Sequence, residues 1–141
     1  ETPDEERKFS AKMADDGVTL ELSFFDFIGD WWLGTTTEQV SRAIKDAGEV
    51  SHIYAKINSF GGYAHEGVGI CNLLKSHPAK VTTEVVGVAY SAASVIAAAG
   101  DERLMGTGTT QMIHNALTCA CGEASELREV ADDLGTRRDL G

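Results

Sequence analysis

Three short segments carry side chains suited to a nucleophilic displacement. In Gly87-Val88-Ala89-Tyr90-Ser91-Ala92-Ala93-Ser94 a strand runs into a helix, and Ser91 falls close to the helix N-terminus. The first turn of a helix has unpaired N–H groups and a partial positive charge, so a hydroxyl can be presented there while neighbouring amides stabilise an oxyanion. The segment Asn58-Ser59-Phe60-Gly61-Gly62 ends a strand in paired glycines, which allow close backbone approach. An exposed N–H of Gly61 could complete an oxyanion hole with the N–H of Ala92. In Met112-Ile113-His114-Asn115, His114 ends a short apolar strand. A serine hydroxyl is a weak nucleophile until a base accepts its proton, and histidine has the pKa for that task. Taken singly, each segment is read more simply as packing: small residues in a crowded helix, an ordinary turn, a structural histidine. Their order and spacing, taken together, shift the reading away from packing.

The elements that must position these groups follow from periodicity. Residues 1–17 are polar and charged and are expected to form a weakly ordered lead-in to a domain over 18–141. Val18, Leu20, Leu22 and Phe24 alternate with polar residues, the period of a half-buried strand. A loop with large apolar anchors follows, including Trp31 and Trp32, expected as core plus subunit interface together with Phe24, Phe25 and Phe27. Thr35 and Glu38 form a capping-box pattern ahead of a helix carrying Val40, Ala43, Ile44 and Ala47 on one face. Ile53, Ala55 and Ile57 line one side of the next strand. A second helix opens near Ala64, turns Val68, Cys71 and Leu74 inward, and stops before Pro78. Residues 81–88 are a β-branched strand, 89–99 a small, fully buried helix, and 103–105 and 111–114 short strands. Residues 123–134 form an amphipathic helix with Leu127, Val130, Ala131 and Leu134 on its buried side. Alternating strands and helices imply an α/β fold in one domain.

Composition narrows the function. Twelve basic residues against 22 acidic ones give a net charge of −10 over 141 residues, which argues against a nucleic-acid surface and against anionic lipid. No run reaches the roughly 18 apolar residues of a membrane span, and no signal peptide is visible. Cys71, Cys119 and Cys121 are too few and too scattered for a secreted disulfide scaffold, so a cytoplasmic location is expected. Cys119 and Cys121 lack the second pair of ligands a zinc site needs, so no metal is expected. His65 and His77 read as incidental, and Ser94 as packing.

The three motifs together resemble the Clp protease proteolytic subunit family, with its Asn-Ser-Pro-Gly-Gly turn, its Gly-x-Ala-x-Ser nucleophile turn and a Met-Ile-His segment beyond. Here they stand at residues 58–62, 87–91 and 112–114, and the likeness runs from about 18 to 134. The Asp30-Trp31-Trp32 loop, residues 73–81, residues 91–97 and His114-Asn115 are most similar to the phage and prophage branch, the head-maturation proteases. The resemblance implies the ββα spiral that Clp proteases share with crotonases, and a serine endopeptidase acting through an acyl-enzyme. It implies Ser91 as nucleophile, His114 as base, the Gly61 and Ala92 amides as oxyanion donors, and no cofactor. Its partners would be peptide substrates, phage scaffold or capsid proteins, and further copies of the chain in a ring, in the host cytoplasm or the prohead. Two departures stand out: Phe60 replaces the family's proline, and the family's triad aspartate lies further past the histidine than the 27 residues present here. Asp132, Asp133 and Asp139 belong to the last helix and are not assigned that role. Two alternatives remain at this point, an assembly-only Clp-like protein with an incomplete triad and a crotonase-like acyl-CoA enzyme.

Overall fold

A computed structural model describes residues 9–30, 32 and 34–139. Their elements, in order, are β1 (Ser10–Met13), β2 (Thr19–Phe24), α1 (Thr37–Ala47), β3 (His52–Ser59), α2 (Ala64–Ser76), β4 (Lys80–Tyr90), α3 (Ala92–Ala97), β5 (Glu102–Met105), β6 (Thr110–Met112) and α4 (Ala124–Asp139). The strands form one sheet in the order β1-β2-β3-β4-β5, with β6 also paired to β4. The β1–β2 pair is antiparallel and every other pair is parallel. β4 is long enough to pair twice: Thr82–Val85 faces β5, and Val88–Tyr90 faces β6.

Alternation does what the sequence predicts from Leu20 onward, whereas Val18 precedes β2 and is exposed. Leu20, Leu22 and Phe24 of β2, and Ile53, Ala55 and Ile57 of β3, are buried with Val81 and Val85 against Ile70, Leu74 and Ile96 of the helices. Each of the Leu, Ile, Val and Phe side chains among them contributes about 1.5–3 kcal/mol of burial. The helix α2 turns Gly67, Ile70, Cys71 and Leu74 inward, whereas Val68, expected inward, is 47 % exposed. The inward set recurs at three- and four-residue spacing, and Val68 lies off that stripe.

Other expectations shift. Within the expected lead-in, Ser10–Met13 forms β1, with Lys12 Nζ 3.2 Å from Glu21 on β2; residues 1–8, like Trp31, lie outside the described residues. The capping box belongs to Thr36 and Gln39, not Thr35 and Glu38. Thr35 is buried in a bridge to Ile28, so its hydroxyl is out of place for capping, while extended Thr36 accepts from the Gln39 N–H. The helix expected over 89–99 is the shorter α3, because Ala89 and Tyr90 continue β4 by pairing with Gln111 and Met112. Ladder bonds there outweigh the helix preference of alanine. Finally, Leu127, Val130 and Ala131 of α4, expected to be buried, are exposed.

On the sheet face away from the core, polar groups satisfy one another. His52 Nε2 meets Thr82 Oγ1, Tyr54 donates its hydroxyl proton to Glu84, and the Lys56 ammonium lies over the Tyr54 ring. The bond to Glu84, with partial burial and the Glu84 charge, pushes the Tyr54 phenol up to about 12 from 10. Because the folded value is raised, the stabilisation is complete below pH 10 and is lost as pH rises from 10 towards 12. Absorbance titration at 295 nm should therefore show a last tyrosinate appearing near pH 12, absent in Tyr54→Phe. An alkaline titration identical in both proteins would show that the Glu84 bond does not hold this proton.

Candidate active site

Ser91 sits between the end of β4 and the start of α3 with φ 53° and ψ −125°. Among the described residues it is the single non-glycine with positive φ. Such a conformation costs of order 1–3 kcal/mol and persists only where its surroundings enforce it. Three bonds do so here. The Ser91 N–H donates to the Met112 carbonyl of β6 at 2.8 Å, and the Ser91 carbonyl accepts from both the N–H and the hydroxyl of Ser94, at 2.9 and 2.6 Å. Ser94 is thus a buried structural anchor for the turn. The Ala92 N–H heads α3, where no preceding helical carbonyl can accept it. The other side of Ala92 is closed by α2: a Cβ on Gly67 would lie 2.8 Å from the Ala92 carbonyl oxygen.

The glycine turn after β3 is brought against this nucleophile turn by an irregularity in the sheet. Ile57 pairs with Val85 but Ser59 pairs with Ala89, so β4 spends two extra residues there. Asn58 fills the gap: its Oδ1 accepts from the Val88 N–H at 3.1 Å and would be 2.3 Å from a Cβ on Gly87. The shift sets Phe60 and Gly61 beside Tyr90 and Ser91. Gly61 (φ 93°) approaches so closely that a Cβ there would lie 2.4 Å from the Tyr90 carbonyl oxygen, 2.8 Å from Ser91 Cβ and 3.0 Å from the Ala92 nitrogen. The Gly61 N–H is engaged, donating to Ser59 Oγ at 3.1 Å, and that hydroxyl donates in turn to the Asp26 carbonyl at 2.7 Å. Asn58 and Ser59 are the residues that sequence reasoning passed over. Their signal was present, since Asn and Ser next to glycines are side chains that bond to nearby backbone.

The strand expected over 111–114 is β6, which ends at Met112, so His114 lies two residues beyond it, after the residue whose carbonyl holds Ser91. The His114 side chain is exposed, and Nδ1 bonds the Asn115 carbonyl at 2.5 Å. A carbonyl only accepts, so Nδ1 is the donor of this bond, which in the neutral ring leaves the lone pair on Nε2, the tautomer a general base requires. The structure brings Ser91, Gly61 and Ala92 into contact, whereas His114 makes no hydrogen bond to Ser91 Oγ and bonds the Asn115 carbonyl instead. Among the described residues no group of three or more His, Cys, Asp or Glu side chains is placed to hold a metal ion, and Cys119 and Cys121 are exposed free thiols. No described helix is long and apolar enough to cross a membrane.

The profile of the Clp protease family matches residues 38–140, which contain all of these groups. The chain belongs to the Clp protease family. Among curated Clp relatives, the ATP-dependent Clp protease proteolytic subunit of Ligilactobacillus salivarius is 37% identical over 90 residues, covering 62% of this chain and 46% of that protein. Proteolytic subunit 1 of Prochlorococcus marinus is 36% identical over 84 residues, covering 58% and 43%. The chain thus spans about half the length of the curated Clp relatives it matches. A solved structure of a ClpP1 mutant from Listeria monocytogenes superposes with a TM-score of 0.71 at 24% identity, over 87% of this chain and 67% of that one. The α/β arrangement of sheet and helices described above is therefore the Clp protease fold.

Proposed function

We propose that this chain carries the catalytic centre of a serine endopeptidase. The observation that supports this best is Ser91: a non-glycine residue at positive φ at a helix start, touched by the Gly61 backbone. In the proposed mechanism His114 Nε2 takes the Ser91 hydroxyl proton as Oγ bonds the scissile carbonyl carbon. The oxyanion that forms is charged, and charge-assisted hydrogen bonds are roughly twice as strong as neutral ones. It would therefore draw the Gly61 N–H away from the neutral Ser59 hydroxyl and share it with the Ala92 N–H. His114 then returns the proton to the leaving amine, and water repeats the sequence to release the acyl-enzyme. The substrates we infer are scaffold or capsid proteins of a phage prohead, on the sequence likeness to that branch. The test is covalent labelling with a fluorophosphonate and mapping of the adduct, expected on Ser91. An adduct on Ser94 would refute the assignment. No adduct at all would favour an assembly-only protein, a reading supported by the lack of a hydrogen bond between Ser91 and His114.

The same reading includes self-association into a ring, supported by α4. Its apolar residues Leu127 and Val130 face solvent in the single chain, and Trp32 is 72 % exposed. Apolar surface of this kind on a helix is a liability unless another surface covers it. Sedimentation velocity at micromolar concentration should show species well above the 15.0 kDa monomer, growing with concentration. A lone monomer across the whole series would refute self-association.

A further inference from the structure

Between β6 and α4 the chain carries two thiols that the peptidase reading leaves without a task. Cys119 and Cys121 are both free and exposed, with only Ala120 between them. Residues 113–121 belong to no strand or helix. Both ends of this connection are held: the Asn115 carbonyl accepts from His114 Nδ1, and the Glu123 N–H donates to Glu126 Oε2 at 2.7 Å. Among the described residues no hydrogen bond engages the backbone of residues 116–121, so the chain there can turn without losing one. Connectivity alone then sets the distance between the two cysteines. Consecutive Cα atoms are about 3.8 Å apart, so those of Cys119 and Cys121 stay within about 7 Å of each other in any conformation. A disulfide accepts a Cα separation of about 4.4–6.8 Å. Ala120 is small and Gly122 follows directly, so no bulky side chain obstructs closure. The third thiol is a contrast within the same chain. Cys71 of α2 is buried in the core, and burial pushes its thiol up, which keeps it protonated and slow to react.

We propose that Cys119 and Cys121 are a reversible redox pair, a site of modification by disulfides of small thiols that closes an intrachain disulfide across Ala120. The exchange needs no group of the protein beyond the two thiols. One thiolate attacks a sulfur of oxidised glutathione, forms a mixed disulfide and expels one glutathione thiolate. The second thiolate attacks the protein sulfur of that mixed disulfide, closing the Cys119–Cys121 bond and expelling the other glutathione. Two electrons and two protons leave the protein, and the oxidant becomes two molecules of glutathione. The closed form is labile for two reasons. A loop this short removes little entropy from the unfolded chain, so the bond adds little stability. It is also exposed, and exposed disulfides have the more oxidising potentials that small thiols reverse. Closure holds the chain bent at Ala120, in the connection between His114 and α4. This inference stands on the two thiols and is independent of the peptidase reading.

The test treats the folded, reduced protein at micromolar concentration with a slight excess of oxidised glutathione and reads intact and fragment masses. Wild type should lose the mass of two hydrogens and retain no glutathione. Both fast-reacting thiols should disappear, while Cys71 remains open to alkylation after unfolding. Fragmentation should place the new bond between Cys119 and Cys121, and dithiothreitol should restore both thiols. Cys119→Ser and Cys121→Ser each lack the resolving thiol and should retain one glutathione. At equal glutathione the mixed disulfide should be at least tenfold more populated in either variant than in wild type, because a neighbouring thiol acts at an effective concentration of about millimolar or above. Glutathione retained on wild type to the extent seen in the variants overturns the pair, as do disulfide-linked dimers on a non-reducing gel in place of the intrachain bond. A wild type whose two exposed thiols stay free under this treatment overturns it equally.

Discussion

Ser91→Ala is expected to remove fluorophosphonate labelling completely and to lower peptide hydrolysis by up to roughly 10⁶-fold, the loss seen when a serine nucleophile is deleted from an intact catalytic unit. Deletion removes the bond-forming atom but leaves the backbone donors in place, so catalysis should fall to the residual supplied by the oxyanion donors and binding. His114→Ala should have nearly the same effect on hydrolysis, because the two residues act as one unit and their losses do not add. Ser94→Ala makes an informative contrast. It removes the 2.6 Å bond to the Ser91 carbonyl without touching a reacting atom, so labelling should be slowed and not abolished. Equal labelling of wild type and Ser91→Ala would show that the strained turn is an architectural feature, and that the reactive serine lies elsewhere.

The parts of this site that the sequence made legible are those encoded in local pattern. Alternating Ile53, Ala55 and Ile57 identify a strand whose end carries the glycines, and the small residues from Ala89 onward mark a tightly packed turn into α3. What could not be read is the non-local geometry. The register shift between β3 and β4 depends on the Asn58 side chain meeting the Val88 N–H thirty residues away, a bond no periodicity announces. The continuation of β4 through Tyr90 depends on β6 arriving alongside it, so alanine's helix preference misplaced the helix start. Thr35 and Thr36 have equal capping chemistry, and only the bridge from Ile28 decides between them. For α4 the amphipathic pattern is real, yet pattern alone does not say which chain provides the surface that its apolar stripe would meet. His114 reads as the end of a short apolar strand, whereas β6 stops at Met112 and the imidazole is held by the Asn115 carbonyl, neither of which local pattern encodes.

Gly61→Ala should be the most damaging of the conservative substitutions, for two separable reasons. The first is local: φ 93° is unfavourable for any residue with a Cβ, at a cost of about 1–2 kcal/mol. The second is the close approach to the nucleophile turn. The added methyl would lie 2.4 Å from the Tyr90 carbonyl oxygen and 2.8 Å from Ser91 Cβ, both backbone or backbone-anchored atoms that cannot rotate aside. Either the glycine turn must retreat, withdrawing its N–H, or the Ser91 turn must move, losing its bond to Met112. Overpacking of this kind typically costs a further 1–3 kcal/mol. Gly17→Ala isolates the first effect, because Gly17 also has positive φ (71°) but a Cβ there meets nothing within 4 Å. Urea unfolding of the two variants should therefore separate them by about 1–3 kcal/mol. Fluorophosphonate labelling measured without denaturant should be near wild type in Gly17→Ala and reduced at least a hundredfold in Gly61→Ala, as expected when a site built to sub-ångström tolerance is displaced. Should both variants unfold at the same urea concentration and label at the same rate, the contact between the glycine turn and Ser91 would be too loose to build an oxyanion site.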